Sequence, residues 1–152
     1  MQVLVFSVGM ELIGIDVLYV RELLTGKTLL GNGNSDGSRD RHIRYCGKEL
    51  PVIDFEDYFL FKNKKKKLAR NIIVLEKMIK GKIYAAGIIC DHLVSVCSEI
   101  PVPLNENIFT DDIFLPVRIA SMDGAGVLIA NIDRFLKPEL RIKIKECFQA
   151  VS

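Results

Sequence analysis

Apolar residues along this chain come in short runs punctuated by glycine and small polar residues, and only its C-terminal end carries a long helical pattern. Residues 2–8 (QVLVFSV) read as a strand, Gly9-Met10-Glu11 as a tight turn, and residues 12–16 (LIGID) as the returning strand of a hairpin. From Val17 to Leu24 the pattern is two-sided. Val17, Val20, Leu23 and Leu24 sit at helical spacing, yet β-branched residues favour a strand. Thr25 to Arg41 holds four glycines among Asn, Asp and Ser, which predicts a surface loop. Strands resume at Ile43–Cys46 and Leu50–Ile53 across a turn at Gly47-Lys48. Asp54 then precedes a short apolar helical turn as its N-cap, with Asp57 three residues on, where an acid suits the positive helix end.

The second half retraces this route. Asn71–Leu75 reads as a strand, Lys80-Gly81-Lys82 as a turn and Ile83–Cys90 as the return strand. Asp91 follows Gly87-Ile88-Ile89-Cys90 much as Asp16 follows Gly14-Ile15. A loop with Pro101 and Pro103 leads to a strand over 114–120, and Asp123-Gly124-Ala125-Gly126 turns the chain into Val127–Ala130. Asn131 caps a second short helix, and Pro138 opens a C-terminal helix over 139–150 with Leu140, Ile144, Cys147 and Phe148 on one face.

Residues 52–59 (VIDFEDYF) and 129–136 (IANIDRFL) share one pattern: apolar, apolar, Asp or Asn, apolar, acid, any residue, aromatic, apolar. The caps Asp54 and Asn131 lie 77 residues apart (131 − 54), and the hairpin aspartates 75 (91 − 16). A repeat at half the chain length predicts one domain over 1–152, made of pseudo-repeat halves at approximately 1–67 and 68–136. Many short strands with minor helix predict an all-β fold, two small β-barrels packed on each other.

Composition narrows the function classes. With 49% hydrophobic and 26% charged residues the chain has the profile of a globular domain. A net charge of +2 is too small to call for nucleic acid. The apolar run Ala85–Cys90 is about a third of the ~20 residues a membrane span needs, so no direct membrane insertion is expected. The N-terminus lacks early Lys or Arg and does not resemble a signal peptide. Cys46, Cys90, Cys97 and Cys147 show no C-x-x-C spacing, so neither a zinc knuckle nor a redox motif is expected, and the cytoplasm is the predicted compartment.

Candidate chemistry is sparse. Gly26-Lys27-Thr28 resembles the end of a phosphate-binding loop, but Arg21 stands where that loop needs its first glycine. Asn32, Asn34, Asp36 and Gly37 echo a calcium loop whose twelfth position is Ile43 in place of Glu. Lys64 to Lys67 carries no interleaved aromatics and reads as a solvated connector. A Cys-His pair such as Cys90 with His92 is a candidate for a thiol-dependent enzyme, and nothing in the sequence orients or activates it. No catalytic residues, metal ligands or cofactors are predicted, which moves the expectation toward a binding module.

Phe6-Ser7-Val8-Gly9, Gly14-Ile15-Asp16-Val17, Val20-Arg21-Glu22-Leu23, the run Gly47-Lys48-Glu49-Leu50-Pro51-Val52-Ile53-Asp54 and residues 87–94 (GIICDHLV) resemble the CheW-like domain family of bacterial chemotaxis. The resemblance runs from Val3 to Leu136 and implies two tandem five-stranded SH3-like β-barrels sharing a hydrophobic core. It implies a cytoplasmic, non-catalytic adaptor between the tips of chemoreceptors and the regulatory domain of the histidine kinase CheA, or a diverged scaffold of a non-flagellar chemosensory pathway. By motif position, Val20 and Glu22 match the segment near the receptor-binding groove, and Ile89, Asp91 and Val94 its second-half counterpart. Where the family commonly reads Asn-Leu-Arg-Gly, this chain has Arg44-Tyr45-Cys46-Gly47, so a thiol replaces the arginine fork. On a continued strand Arg44 and Cys46 would share one face, from which Arg44 would supply the charge.

Overall fold

The computed structural model describes residues 2–31, 41–58, 69–98, 102–103 and 114–135. Its strands are β1 (Val3–Val8), β2 (Glu11–Asp16), β3 (Val20–Thr28), β4 (His42–Tyr45), β5 (Lys48–Ile53), β6 (Ala69–Ile79), β7 (Lys82–Cys90), β8 (His92–Cys97), β9 (Val102–Pro103), β10 (Phe114–Ile119) and β11 (Ala125–Ala130). They form two curled sheets, in keeping with the two SH3-like barrels that the resemblance implies. One sheet has the order β8-β1-β2-β11-β10-β9 and the other β3-β6-β7-β5-β4.

The sheets do not coincide with the sequence halves. Hairpin β1–β2 of the first half lies between β8 and β11 of the second, while hairpin β6–β7 of the second lies between β3 and β5 of the first. Each half therefore lends its first hairpin to the other. Parallel pairing seals both exchanges: Ile129 stands opposite Gly14 and Val52 opposite Gly87, and Val52 and Ile129 are themselves 77 apart (129 − 52).

Both glycines are there because the neighbouring side chains leave no room. A Cβ on Gly14 would lie 2.6 Å from Ile129, 2.8 Å from Val3 and 3.2 Å from Val127. On Gly87 it would lie 2.7 Å from Ile72, 3.3 Å from Val52 and 3.6 Å from Leu50. These are matching neighbours in the two copies, so the repeat extends to the packing.

Strand β1 is apolar at nearly every position because both its faces are buried. Leu4, Phe6 and Val8 point into a core that also holds Ile43, Val52, Phe55, Ile73 and Ile88 of the other barrel. Val3 and Val5 face a smaller cluster with Cys97, Val117, Ile119 and Val127. The larger cluster is shared between the barrels. Phe55 is its hinge pin, stacked near Phe6 at 6.4 Å between centroids and edge-on to Phe114 at 5.4 Å.

Three sequence expectations change. Strand β3 runs on to Thr28 and Leu30 pairs with His42, so the predicted loop begins later than Thr25. Gly26, at φ 65°, absorbs a bulge between Leu24 and Lys27 that lets the strand continue. Strand β8 had no predicted counterpart, although Leu93-Val94-Ser95-Val96 has strand chemistry. The elements after β5 and β11 are single turns, a 3-10 turn over Phe55–Tyr58 and the α-helix α1 over Ile132–Phe135. The expected helix over 139–150, the loop 32–40 and the lysine run lie outside the described residues.

Candidate partner-binding surface

Strands β3 and β8 occupy the same place in the two copies, each at the end of its sheet's strand order. Both carry a bulge at the same point. In β3, Val20 pairs with Leu75 and Glu22 with Val74, which leaves Arg21 as the extra residue. In β8, Leu93 pairs with Phe6 and Ser95 with Val5, which leaves Val94 as the extra residue. A bulge re-aims side chains and increases twist, so both strands present residues outward that a regular ladder would turn in.

The β3 side is knitted and largely polar, with Leu23, 45% exposed, as an apolar exception. Although β3 and β4 end opposite sides of the sheet order, the sheet curls until they meet. Leu30 and His42 exchange backbone hydrogen bonds at 2.8 and 3.0 Å, and Tyr45 Oη donates to Glu22 Oε2 at 2.5 Å. Arg21 lies 5.7 Å from the Tyr45 ring centroid and pairs with Glu76 at 3.2 Å. Burial, and then the hydrogen bond to Glu22, push the Tyr45 phenol up to about 12. Glu22 is thereby a closing residue of the barrel as well as a rim residue. Val20 is half-buried against the shared core and offers a partner little.

Arg44, Cys46 and Gly47 surround this seam and are exposed. Cys46 does not continue the strand. It and Gly47 form the two-residue turn between β4 and β5, with φ of 52° and 78°, so the alternation that would put Arg44 and Cys46 on one face stops at Tyr45.

The β8 side is apolar. Leu93, Val94 and Val96 are 49, 47 and 56% exposed. Its inner end is closed by sulfur contacts, with Cys97 Sγ 3.8 Å from both Ser95 Oγ and Ser121 Oγ. Of the other residues matched to this side, Ile89 is fully buried and cannot touch a partner, which corrects that expectation: the β7 run is core on both faces. Asp91 is half-buried and structurally engaged. Its Oδ2 accepts from Gly9 N at 2.7 Å, its own N–H donates to the Ser7 carbonyl at 2.8 Å, and its carbonyl accepts from Asn71 Nδ2 at 3.0 Å. Val94 is the exposed member of that set, and Leu93, Val96 and Arg21 are surface residues that motif matching passed over. An unpaired bulge position is visible only once the strand register is known.

The two caps lie in the barrels' joints. Asp54 Oδ1 accepts from Glu56 N at 3.0 Å, and Asn131 Oδ1 from Asp133 N at 3.1 Å. Asp54 is also buried and holds Arg41 through Oδ2 at 2.9 Å. Lys77 on β6 pairs with Asp133 on α1 and lies 5.0 Å from the Tyr19 ring centroid.

Burial, with Asp91 adding to it, raises the Cys90 thiol to about 11. A buried thiol that keeps its proton is a poor nucleophile. Among the described residues no group of three or more His, Cys, Asp or Glu is placed to hold a metal ion. Nor is any described helix long and apolar enough to cross a membrane.

A family model for the CheW-like domain matches residues 2–139. The chain belongs to the CheW-like domain family. Among solved structures, this member of the CheW-like family is similar to the scaffolding protein TtCheW from Thermoanaerobacter tengcongensis, with a TM-score of 0.64 and 24% identity, over 86% of this chain and 88% of that one. That likeness is one of fold. No curated protein matches the chain.

Proposed function

We propose that the chain is a non-catalytic chemotaxis adaptor that couples chemoreceptor tips to the regulatory domain of the histidine kinase CheA in the cytoplasm, working as one domain and without a cofactor, nucleic acid or membrane insertion. Membership of the CheW-like family over residues 2–139 carries this reading. Two observations support it. Leu93, Val94 and Val96 make an exposed apolar stretch on β8, flanked by the exposed polar residue His92, which suits a protein partner. The Cys90 thiol, which stands near His92 in the sequence, is buried and pushed up to about 11.

The assigned surface is Val20, Glu22, Arg44, Cys46 and Gly47 on the first barrel and Asp91 and Val94 on the second, with Ile89 removed because it is buried. Capture of this chain by the immobilised kinase regulatory domain tests the reading directly. Binding above background is expected; none under conditions where the chain is folded would sink it. Val94→Glu should weaken capture by the receptor tip or the kinase domain while leaving the unfolding midpoint within the range of an ordinary surface change.

One observation favours a variant of this reading, a diverged scaffold with an altered receptor. Cys46 sits exposed at a turn tip, in a tetrad where the family it resembles commonly carries arginine. Cys46→Arg is expected to strengthen capture of receptor tips, and unchanged capture would count against a lost contact there.

A further inference from the structure

The exchange of hairpins between the two halves has a counterpart between molecules. We infer that β1–β2 is an exchangeable element, and that two copies of this chain can form a dimer in which the six-stranded sheet of each copy is completed by the partner's hairpin. Beyond its own turn, β1–β2 makes its ladders with β8 and β11, and its apolar face packs on residues such as Phe55, all on the far side of Val17–Tyr19. A second copy offers the same ladders and the same core. Every one of these contacts would be reproduced, so the balance rests on the hinge and on concentration.

The hinge is short, and although Val17 and Tyr19 are half-buried against the shared core, none of its residues is fully buried. Val17–Tyr19 form a 3-10 turn, and Leu18 is 86% exposed. Val20 is already extended at φ −83°, ψ 119°, and Asp16, at φ −59°, ψ 123°, lies at the edge of that region. Three residues alone must change for β2 and β3 to merge into one strand from Glu11 to Thr28. Their sequence, Val-Leu-Tyr before Val20, suits a strand. What holds the turn closed is Asp16 Oδ1 accepting from Leu18 N at 3.0 Å, the Val17 N–H donating to the Gln2 carbonyl at 3.0 Å, the Val20 N–H bonding to the Val17 carbonyl, Val17 and Tyr19 packed against the shared core, and Lys77 against the Tyr19 ring. A linker this short sets an effective concentration of roughly millimolar for the hairpin in its own chain, so exchange should show when chains refold near that concentration.

The test uses the full chain carrying Cys46→Ser, Ser7→Cys and His92→Cys. Ser7 and His92 are cross-strand partners on β1 and β8, so a disulfide at this pair records whose hairpin fills the barrel. Chains refolded under reduction from about 10 µM to about 1 mM, spanning that effective concentration, are then oxidised, run on non-reducing gels and mapped for the bridge. A covalent dimer through the engineered pair is expected to rise at least several-fold across the series, and further when Asp16→Ala is added. Covalent monomer at every concentration, with and without Asp16→Ala, overturns the inference. If the bridge forms in neither form, native mass spectrometry of the unmodified chain from the same refolding series decides. A dimer that persists on dilution supports exchange, and monomer throughout refutes it. This inference stands apart from the adaptor reading, since no partner enters the test.

Discussion

Arg21 and Val94 occupy the same bulge in two copies of one edge strand, and they share no chemistry. Around Arg21 the rim is charged and tied down, through Glu76, Tyr45 and the Tyr45–Glu22 hydrogen bond. Around Val94 it is apolar and open, with Leu93 and Val96 beside it. Beneath them the copies have barely diverged: Gly14 and Gly87 meet matching neighbours, and Asp54 and Asn131 cap matching turns. Buried geometry tolerates little change, because close packing makes every added methyl felt. The rims are free of that constraint. Divergence between copies therefore marks where two unlike surfaces are presented, and likeness marks what holds them in place.

The largest expected effects lie in the conserved geometry. Gly14→Ala should destabilise the fold by about 2–3 kcal/mol and Gly87→Ala by about 1–2 kcal/mol, within the range for overpacked cores. The order follows from the contacts, since Gly14 meets three side-chain atoms within 3.2 Å and Gly87 only two within 3.3 Å. Urea unfolding midpoints measure both. Adding Ile129→Val removes the Cδ1 that lies 2.6 Å from the new methyl and should recover part of the Gly14→Ala loss. Equal costs at both glycines, or no recovery, would break the claimed match between the exchanged hairpins.

The caps come next. Asn131→Ala loses one capping bond and should cost ~1 kcal/mol. Asp54→Ala loses the same bond and strands Arg41 beside a buried site, so ~2–3 kcal/mol is expected. Asp54→Asn separates the two parts: it keeps a capping oxygen and drops the charge. A variant as stable as wild type would show that the ion pair contributes nothing beyond the cap.

Much of this was legible beforehand for a physical reason. Short apolar runs such as residues 2–8 and two-residue turns such as Lys80-Gly81 are local signals, and they placed most of the strands. The repeat was legible from the 77-residue spacing of Asp54 and Asn131. Which hairpin joins which sheet was not, because parallel pairs such as Ile13 with Leu128 are set by tertiary packing and leave no local trace. The same limit hid the rims. Ile89 and Val94 are both β-branched residues in strand-like runs, and only the sheet arrangement makes one core and the other surface.

The polar seam gives a smaller, pH-dependent contrast. Tyr45 is an acid whose phenol is raised from 10 to about 12 in the fold. Its contribution is fully present below pH 10, where both states hold the proton, and is lost as pH rises through 12, because the unfolded chain deprotonates first. Stability should fall over that window in the wild type, and less steeply in Tyr45→Phe. The same slope in both, followed by circular dichroism against pH, would mean that the seam does not hold the phenol as the geometry implies.

The smallest expected effect sets the two copies against each other at one turn. Cys46-Gly47 and Asp123-Gly124 are again 77 apart (123 − 46), and the first residue of each is left-handed, at φ 52° and 56°. Asp tolerates that conformation because its short side chain can hydrogen-bond locally, and a thiol gains nothing comparable. Cys46→Asn or Cys46→Asp should therefore stabilise the fold by ~0.5 kcal/mol, the reverse of most substitutions. Nothing buried changes, since Cys46 is itself exposed. If thermal unfolding shows no gain, the turn carries no strain for Cys46 to relieve. If the gain appears and receptor capture falls with it, the thiol is held at the tip for binding at a cost in stability. That outcome would place Cys46 with Arg21 and Val94 among the positions where the copies diverge for function.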